Sequence, residues 1–171
     1  IIFDLDKTIV DLGVSWEELK DELSDYCSFK KNIKIQFTPL DKQLIYVKKI
    51  FGMNFFRELL NIIIKFERNE SRYRLNHELL NYIATTHQKI AIFSMNTQSC
   101  IDNIIEKYFS KKPDIIIAKD NCIELKPSDK DILSILDRWR FDKDEVVFVG
   151  DSYDDSLSGQ NAGVDTYLIE F

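Results

Sequence analysis

The chain has 171 residues, with 23 basic against 29 acidic side chains, a net charge of −6 and 44% hydrophobic residues. That length suits one domain, with room for an insertion, burying roughly 70% of its unfolded surface, and an acidic balance without a basic stripe excludes a nucleic-acid backbone as partner. No apolar run approaches the roughly 20 residues of a bilayer span.

Ile1-Ile2-Phe3 is a short apolar run that stops at Asp4-Leu5-Asp6, as a buried parallel strand does at the edge of its sheet. The next comparable run covers residues 90–93. The interval between the two far exceeds the loop, helix and loop that join neighbouring parallel strands. Residues 75–86, with Leu79, Leu80, Ile83 and Ala84 on one face, supply the helix. Residues 14–74 are left as an inserted module, against 1–13 and 75–171 as an α/β core.

The insert has helical periodicity over 16–26, 40–51 and 54–68. In the last of these the polar residues Asn54, Arg57, Glu58, Asn61, Lys65 and Arg68 keep to one stripe, so the helix is expected to be buried on most sides, in a small bundle or against a second subunit. Lys30, Lys31, Arg57, Arg72 and Arg74 are expected on a solvated face. Further apolar runs at 115–117, 146–149 and 166–169 alternate with helical patterns at 99–109 and 129–139. This alternation predicts βαβ units and a central parallel sheet covered on both faces.

In such a sheet, ligands bind beyond the carboxyl ends of the strands. Asp4, Asp6 and Thr8 follow the first strand, Ser94, Met95 and Asn96 the second, and Gly150, Asp151 and Asp155 the fourth; Lys126 precedes the helix that feeds the fourth. Carboxylates, a hydroxyl, an amide and one ammonium are therefore expected at one edge. Cys27, Cys100 and Cys122 form no C-x-x-C and His77 and His87 are the only histidines, so neither a disulfide framework nor a structural zinc site is expected. With no secretory pattern, a reducing, cytoplasmic compartment is the expectation.

This constellation resembles the haloacid dehalogenase (HAD) superfamily. Its D-x-D-x-T is matched by Asp4-Leu5-Asp6-Lys7-Thr8, its Ser/Thr motif by Ser94 in Phe93-Ser94-Met95-Asn96, its lone lysine by Lys126, and its G-D-x-x-x-D by Gly150-Asp151-Ser152-Tyr153-Asp154-Asp155. The resemblance covers the chain outside the insert. It implies a HAD-like Rossmannoid three-layer α/β fold with strand order 5-4-1-2-3, and makes the insert a small helical cap of the C1 type. It further implies Mg²⁺-dependent hydrolysis of a small phosphorylated metabolite through an aspartyl-phosphate on Asp4, while the apolar 54–68 helix makes the cap the expected surface for any homodimer. Lys7 departs from the pattern, since many members carry Gly there.

The resemblance assigns roles that the chemistry can justify. A phosphate monoester is a dianion that repels a carboxylate nucleophile, and Mg²⁺, which prefers carboxylates, waters and phosphate oxygens, relieves that repulsion. Asp4, Asp151 and Asp155 are its expected carboxylate ligands, and the carbonyl of Asp6 completes the set. Asp4 is the nucleophile. Asp6 is the acid that protonates the leaving alkoxide and the base that activates water. Lys126 offsets the negative charge, and Ser94, with the N–H groups around Met95 and Asn96, holds the phosphoryl oxygens. A phosphomutase of the same architecture, or a binding protein that keeps the fold without turnover, are the competing readings.

Overall fold

The central strand, β1 (Ile2–Phe3), pairs in parallel with β4 (Ala91–Phe93) on one side and β6 (Val147–Gly150) on the other. With β5 (Ile115–Ile117) beyond β4, and β7 (Asp165–Leu168) beyond β6, they form a five-stranded parallel sheet in the order β5-β4-β1-β6-β7. Counting only sheet strands along the chain, this is the expected 5-4-1-2-3 arrangement. Ile2, Phe3, Ala91, Ile92 and Phe93 are all buried, which explains why they read as unbroken apolar runs rather than as alternation. β7, one of the two edge strands, differs: Tyr167 and Leu168 are exposed.

The structure, a computed structural model, describes residues 1–171. Helices α3 (His77–Thr85), α4 (Gln98–Tyr108), α5 (Lys130–Trp139) and α6 (Tyr153–Ala162) connect the strands. Ile132, Ile135, Leu136 and Trp139 of α5 pack with Ile2, Phe93, Ile115, Ile117 and Phe148 in one core cluster. Within it the Phe93 and Phe148 rings lie 6.1 Å apart.

The chain divides into two compact units, Ile1–Leu12 with Ser71–Phe171, and Gly13–Glu70. The second consists of two helices, α1 (Trp16–Lys31) and α2 (Leu40–Glu67). Leu19, Leu23 and Cys27 of α1 pack against Leu44, Val47, Phe55, Phe56, Leu59, Ile62 and Ile63 of α2. α2 is interrupted at Gly52, whose φ of 80° and ψ of 176° are not helical. Glycine adopts that conformation without a Cβ penalty, and the two helical patterns meet there.

A short antiparallel pair, β2 (Val10–Asp11) with β3 (Arg74–Leu75), closes the point where the chain leaves and re-enters the α/β unit. The Arg74 guanidinium, on β3, donates to the buried Asp11 carboxylate. This pairing keeps Arg74 within the α/β unit.

Candidate active site

Because all five strands run in parallel, the segments after β1, β4 and β6 emerge at one edge. Two backbone hydrogen bonds extend the ladder beyond the strand ends: Asp4 N–H donates to the Val149 carbonyl (2.8 Å) and Ser94 N–H to that of Ile117 (2.9 Å). The turn after Asp4 is tight, with Thr8, Ile9 and Val10 N–H groups all directed to the Leu5 carbonyl. Lys7 within it takes a φ of 56°, the left-handed region that costs a side-chain-bearing residue roughly 1–2 kcal/mol and explains why glycine suits this position. The Lys7 side chain is exposed.

The Lys126 ammonium lies 2.6 Å from Asp4 Oδ1 and 2.6 Å from Asp155 Oδ1. Its side chain is only 4% exposed, and the ammonium sits over the faces of Phe93 and Phe148, 4.8 and 5.2 Å from their centroids. One oxygen each from Asp4, Asp151 and Asp155 fall within 4.8 Å of one another. Sequence positions 4, 126, 151 and 155 are thus one cluster.

Asp155 is held from both ends. Ser152 and Asp155 form a reciprocal capping box at the start of α6: Asp155 Oδ2 accepts from the Ser152 N–H (3.0 Å) and hydroxyl (2.6 Å), and Ser152 Oγ accepts from the Asp155 N–H (3.2 Å). One oxygen therefore serves the helix and the other serves Lys126. The S-x-x-D signature of this box was present in the sequence, so Ser152 is a site residue that motif reading passed over. A Cβ on Gly150 would approach the Asp155 carboxyl carbon to 2.5 Å, which explains the glycine ahead of Asp151.

Asp6 lies outside the carboxylate cluster. Its Oδ1 accepts from Leu12 N–H at 2.9 Å. On the next strand, Ser94 donates its hydroxyl to Asn96 Oδ1 (2.8 Å), and both residues are buried. The Met95 side chain packs against the core, which leaves its backbone as the part that can meet a ligand. Thr8 is fully buried, and its hydroxyl has no partner. His77 and His87 are exposed and apart from these groups.

The electrostatics follow from burial. Burial, partly offset by Lys126, pushes the Asp4 carboxyl up to about 7, and burial, eased by the Leu12 N–H, pushes Asp6 up to about 6. Asp151 is raised by burial and by Asp155. Burial would raise Asp155 as well, but Lys126 and the Ser152 donors hold it below the usual carboxylate range. Burial opposes the charge on Lys126, and Asp4 and Asp155 more than reverse that, raising its pKa. Three carboxylates against one ammonium leave about two negative charges unneutralised when all are ionised. Hard oxygen donors with that surplus fit a divalent cation of the Mg²⁺ type, whose charge would favour the ionised form of Asp4.

Residues 1–169 match the family model for haloacid dehalogenase-like hydrolases. No curated protein matches the chain. Among solved structures, a haloacid dehalogenase-like hydrolase from Bacteroides fragilis is similar with a TM-score of 0.69 at 18% identity, over 96% of this chain and 84% of that one. A protein from Lactobacillus plantarum assigned as a phosphoglycolate phosphatase has a TM-score of 0.61 at 15% identity, over 98% and 84%. One from Thermotoga maritima assigned as a β-phosphoglucomutase has 0.59 at 17%, over 99% and 84%. At these identities the structures speak to the fold, while the match over nearly the whole chain decides the family: this protein belongs to the haloacid dehalogenase-like hydrolases.

Proposed function

We propose that the protein is a Mg²⁺-dependent phosphatase that hydrolyses a small phosphate monoester through an aspartyl-phosphate on Asp4. The observation that carries this reading is the buried Lys126 ammonium joining Asp4 to Asp155, beside Asp151 in a cluster with surplus negative charge. A surface ion pair does not require two aromatic faces and near-complete burial around its lysine.

Asp4 attacks phosphorus, the ester P–O bond breaks, and the departing alkoxide takes its proton from the Asp6 carboxyl. A water then gives its proton to the Asp6 carboxylate and attacks the acyl phosphate, releasing inorganic phosphate and restoring Asp4. A carboxyl raised to about 6 serves both duties near neutral pH. Lys126 keeps the Asp4 carboxylate fixed and offsets its charge, while Ser94 and the N–H groups of the following turn receive the phosphoryl oxygens. Mg²⁺, held by Asp4, Asp151 and the Asp6 carbonyl, with Asp155 directly or through water, would supply charge neutralisation at the phosphoryl group. The proposed substrate is a small phosphorylated metabolite rather than a macromolecule.

The test is phosphate release from a panel of phosphorylated metabolites and p-nitrophenyl phosphate, with Mg²⁺ and with EDTA. Stoichiometric, Mg²⁺-dependent release supports hydrolysis. Phosphoryl return to the substrate without release would make the protein a mutase, and no turnover on any ester would leave a binding role.

A further inference from the structure

The loop that delivers Lys126 has no regular structure between β5 and α5, yet its ammonium is placed between two carboxylates. We infer that Asp131 is the positioning residue that holds this loop, and with it Lys126, in the catalytic arrangement. The inference rests on the proposed role of Lys126 only for its kinetic consequences.

Asp131 is 1% exposed, in the first turn of α5. An acidic residue there usually serves its own helix, whose N-terminal N–H groups carry partial positive charge. Here both carboxylate oxygens turn to the loop instead. Oδ1 accepts from Ile123 N–H (3.0 Å) and Oδ2 from Glu124 N–H (3.1 Å). Those residues are three and two positions before Lys126; the Ile123 side chain is 62% exposed, and the Glu124 carboxylate contributes solvent-exposed contacts, accepting from the Ser128 hydroxyl (3.0 Å) and pairing with Lys130 (2.8 Å).

The far side is tied as well, since Asn161 Nδ2 on α6 donates to the Pro127 carbonyl (3.0 Å) and Ser128 N–H to the Leu125 carbonyl (3.1 Å). Asp131 is therefore the buried carboxylate that holds the segment preceding the lysine, and a carboxylate accepting two N–H bonds makes them stronger than neutral ones. If they are lost, two partly buried donors are left without an acceptor and the loop is free to shift. Misplacement by about 1 Å costs on the order of 10²-fold in rate.

The test uses Asp131→Asn, which keeps the shape but presents an amide N–H₂ to one of the two donors. Expected are a kcat on p-nitrophenyl phosphate reduced about 10- to 100-fold with KM little changed, and faster acetylation of Lys126 by acetic anhydride, read by peptide mass spectrometry. In a Lys126→Ala background the same change should cost nothing further, because the residue acts through Lys126, whereas a general structural defect would multiply. Lys130→Gln, in the same segment, should be indistinguishable from wild type.

Unchanged Lys126 acetylation in a folded Asp131→Asn protein, or multiplying effects in the double variant, would overturn the assignment. Should the variant not fold, the wild-type protein decides: the Ile123 and Glu124 amides must exchange slowly with solvent, and free exchange at both refutes the tether. If no ester is hydrolysed, the phosphatase reading fails, while acetylation and exchange still judge Asp131.

Discussion

Replacing Asp6 with Asn should disable the protein and make it more stable at the same time. Burial raises the Asp6 carboxyl from 3.8 to about 6. At about 1.36 kcal/mol per pH unit, keeping this group ionised in the fold costs about 3 kcal/mol. The sign follows from linkage: with a folded-state pKa above the unfolded one, its stabilising contribution is complete below pH 4 and is lost as pH rises through 6. Asn is neutral at every pH, can still accept from Leu12 N–H through its carbonyl oxygen, and avoids that loss. Urea denaturation in EDTA should therefore show Asp6→Asn about 3 kcal/mol more stable than wild type at pH 8, roughly 6–12 °C in Tm for a chain of this size, and equal to it near pH 3.5. Turnover should fall about 10²- to 10⁴-fold. With p-nitrophenyl phosphate, whose leaving group needs little protonation, the first step survives better than the second, so phosphate should accumulate on the peptide containing Asp4 after acid quenching. A variant no more stable than wild type at pH 8, or phosphate found on residue 6 of the wild-type protein, would refute the reasoning.

Chelation by EDTA should abolish turnover and Mg²⁺ restore it, with Asp151→Asn needing more Mg²⁺ for half-maximal rate; full activity in EDTA contradicts the mechanism. Asp4→Asn should form no phosphoenzyme and show only background turnover, measured as acid-stable label and phosphate release. Lys126→Ala leaves Asp4 and Asp155 buried without their cation, which should cost about 3–5 kcal/mol near neutral pH, read by urea denaturation and shrinking at lower pH as the carboxyls protonate. Gly150→Ala forces its methyl against Asp155 and should lower stability by about 1–3 kcal/mol, with a loss of turnover because Asp155 has no room to yield.

The parallel sheet was legible because its inner strands are buried on both faces, so Ile2-Phe3 and Ala91-Ile92-Phe93 carry their environment in their composition. The candidate site was legible because each strand end is marked by a polar residue that has no business in a core. Other features left weaker traces. α1 runs to Lys31 rather than stopping at residue 26, since its last turn is held by the left-handed Asn32 cap, with φ of 55°, and not by apolar spacing. The β2–β3 pair has two residues in each strand, too few for any period. Asp131 is placed by a distant loop's backbone, which no side-chain pattern records. Arg74, expected on a solvated face, is exposed and is also bound to Asp11, a contact that only pairing across the insertion creates.

That pairing changes how the insertion looks from the core. Val10 faces Leu75 and Asp11 faces Arg74 in antiparallel register, so everything from Gly13 to Glu70 is, topologically, the loop of a single hairpin whose stem belongs to the α/β unit. The entropic cost of closing a loop grows only with the logarithm of its length. A stem of this kind makes the core nearly indifferent to what it carries: a tight turn, two helices or a larger module would all begin and end at the same two backbone positions. Changes in the segment between them can then be sampled while Asp4, Lys126, Asp151 and Asp155 keep their places.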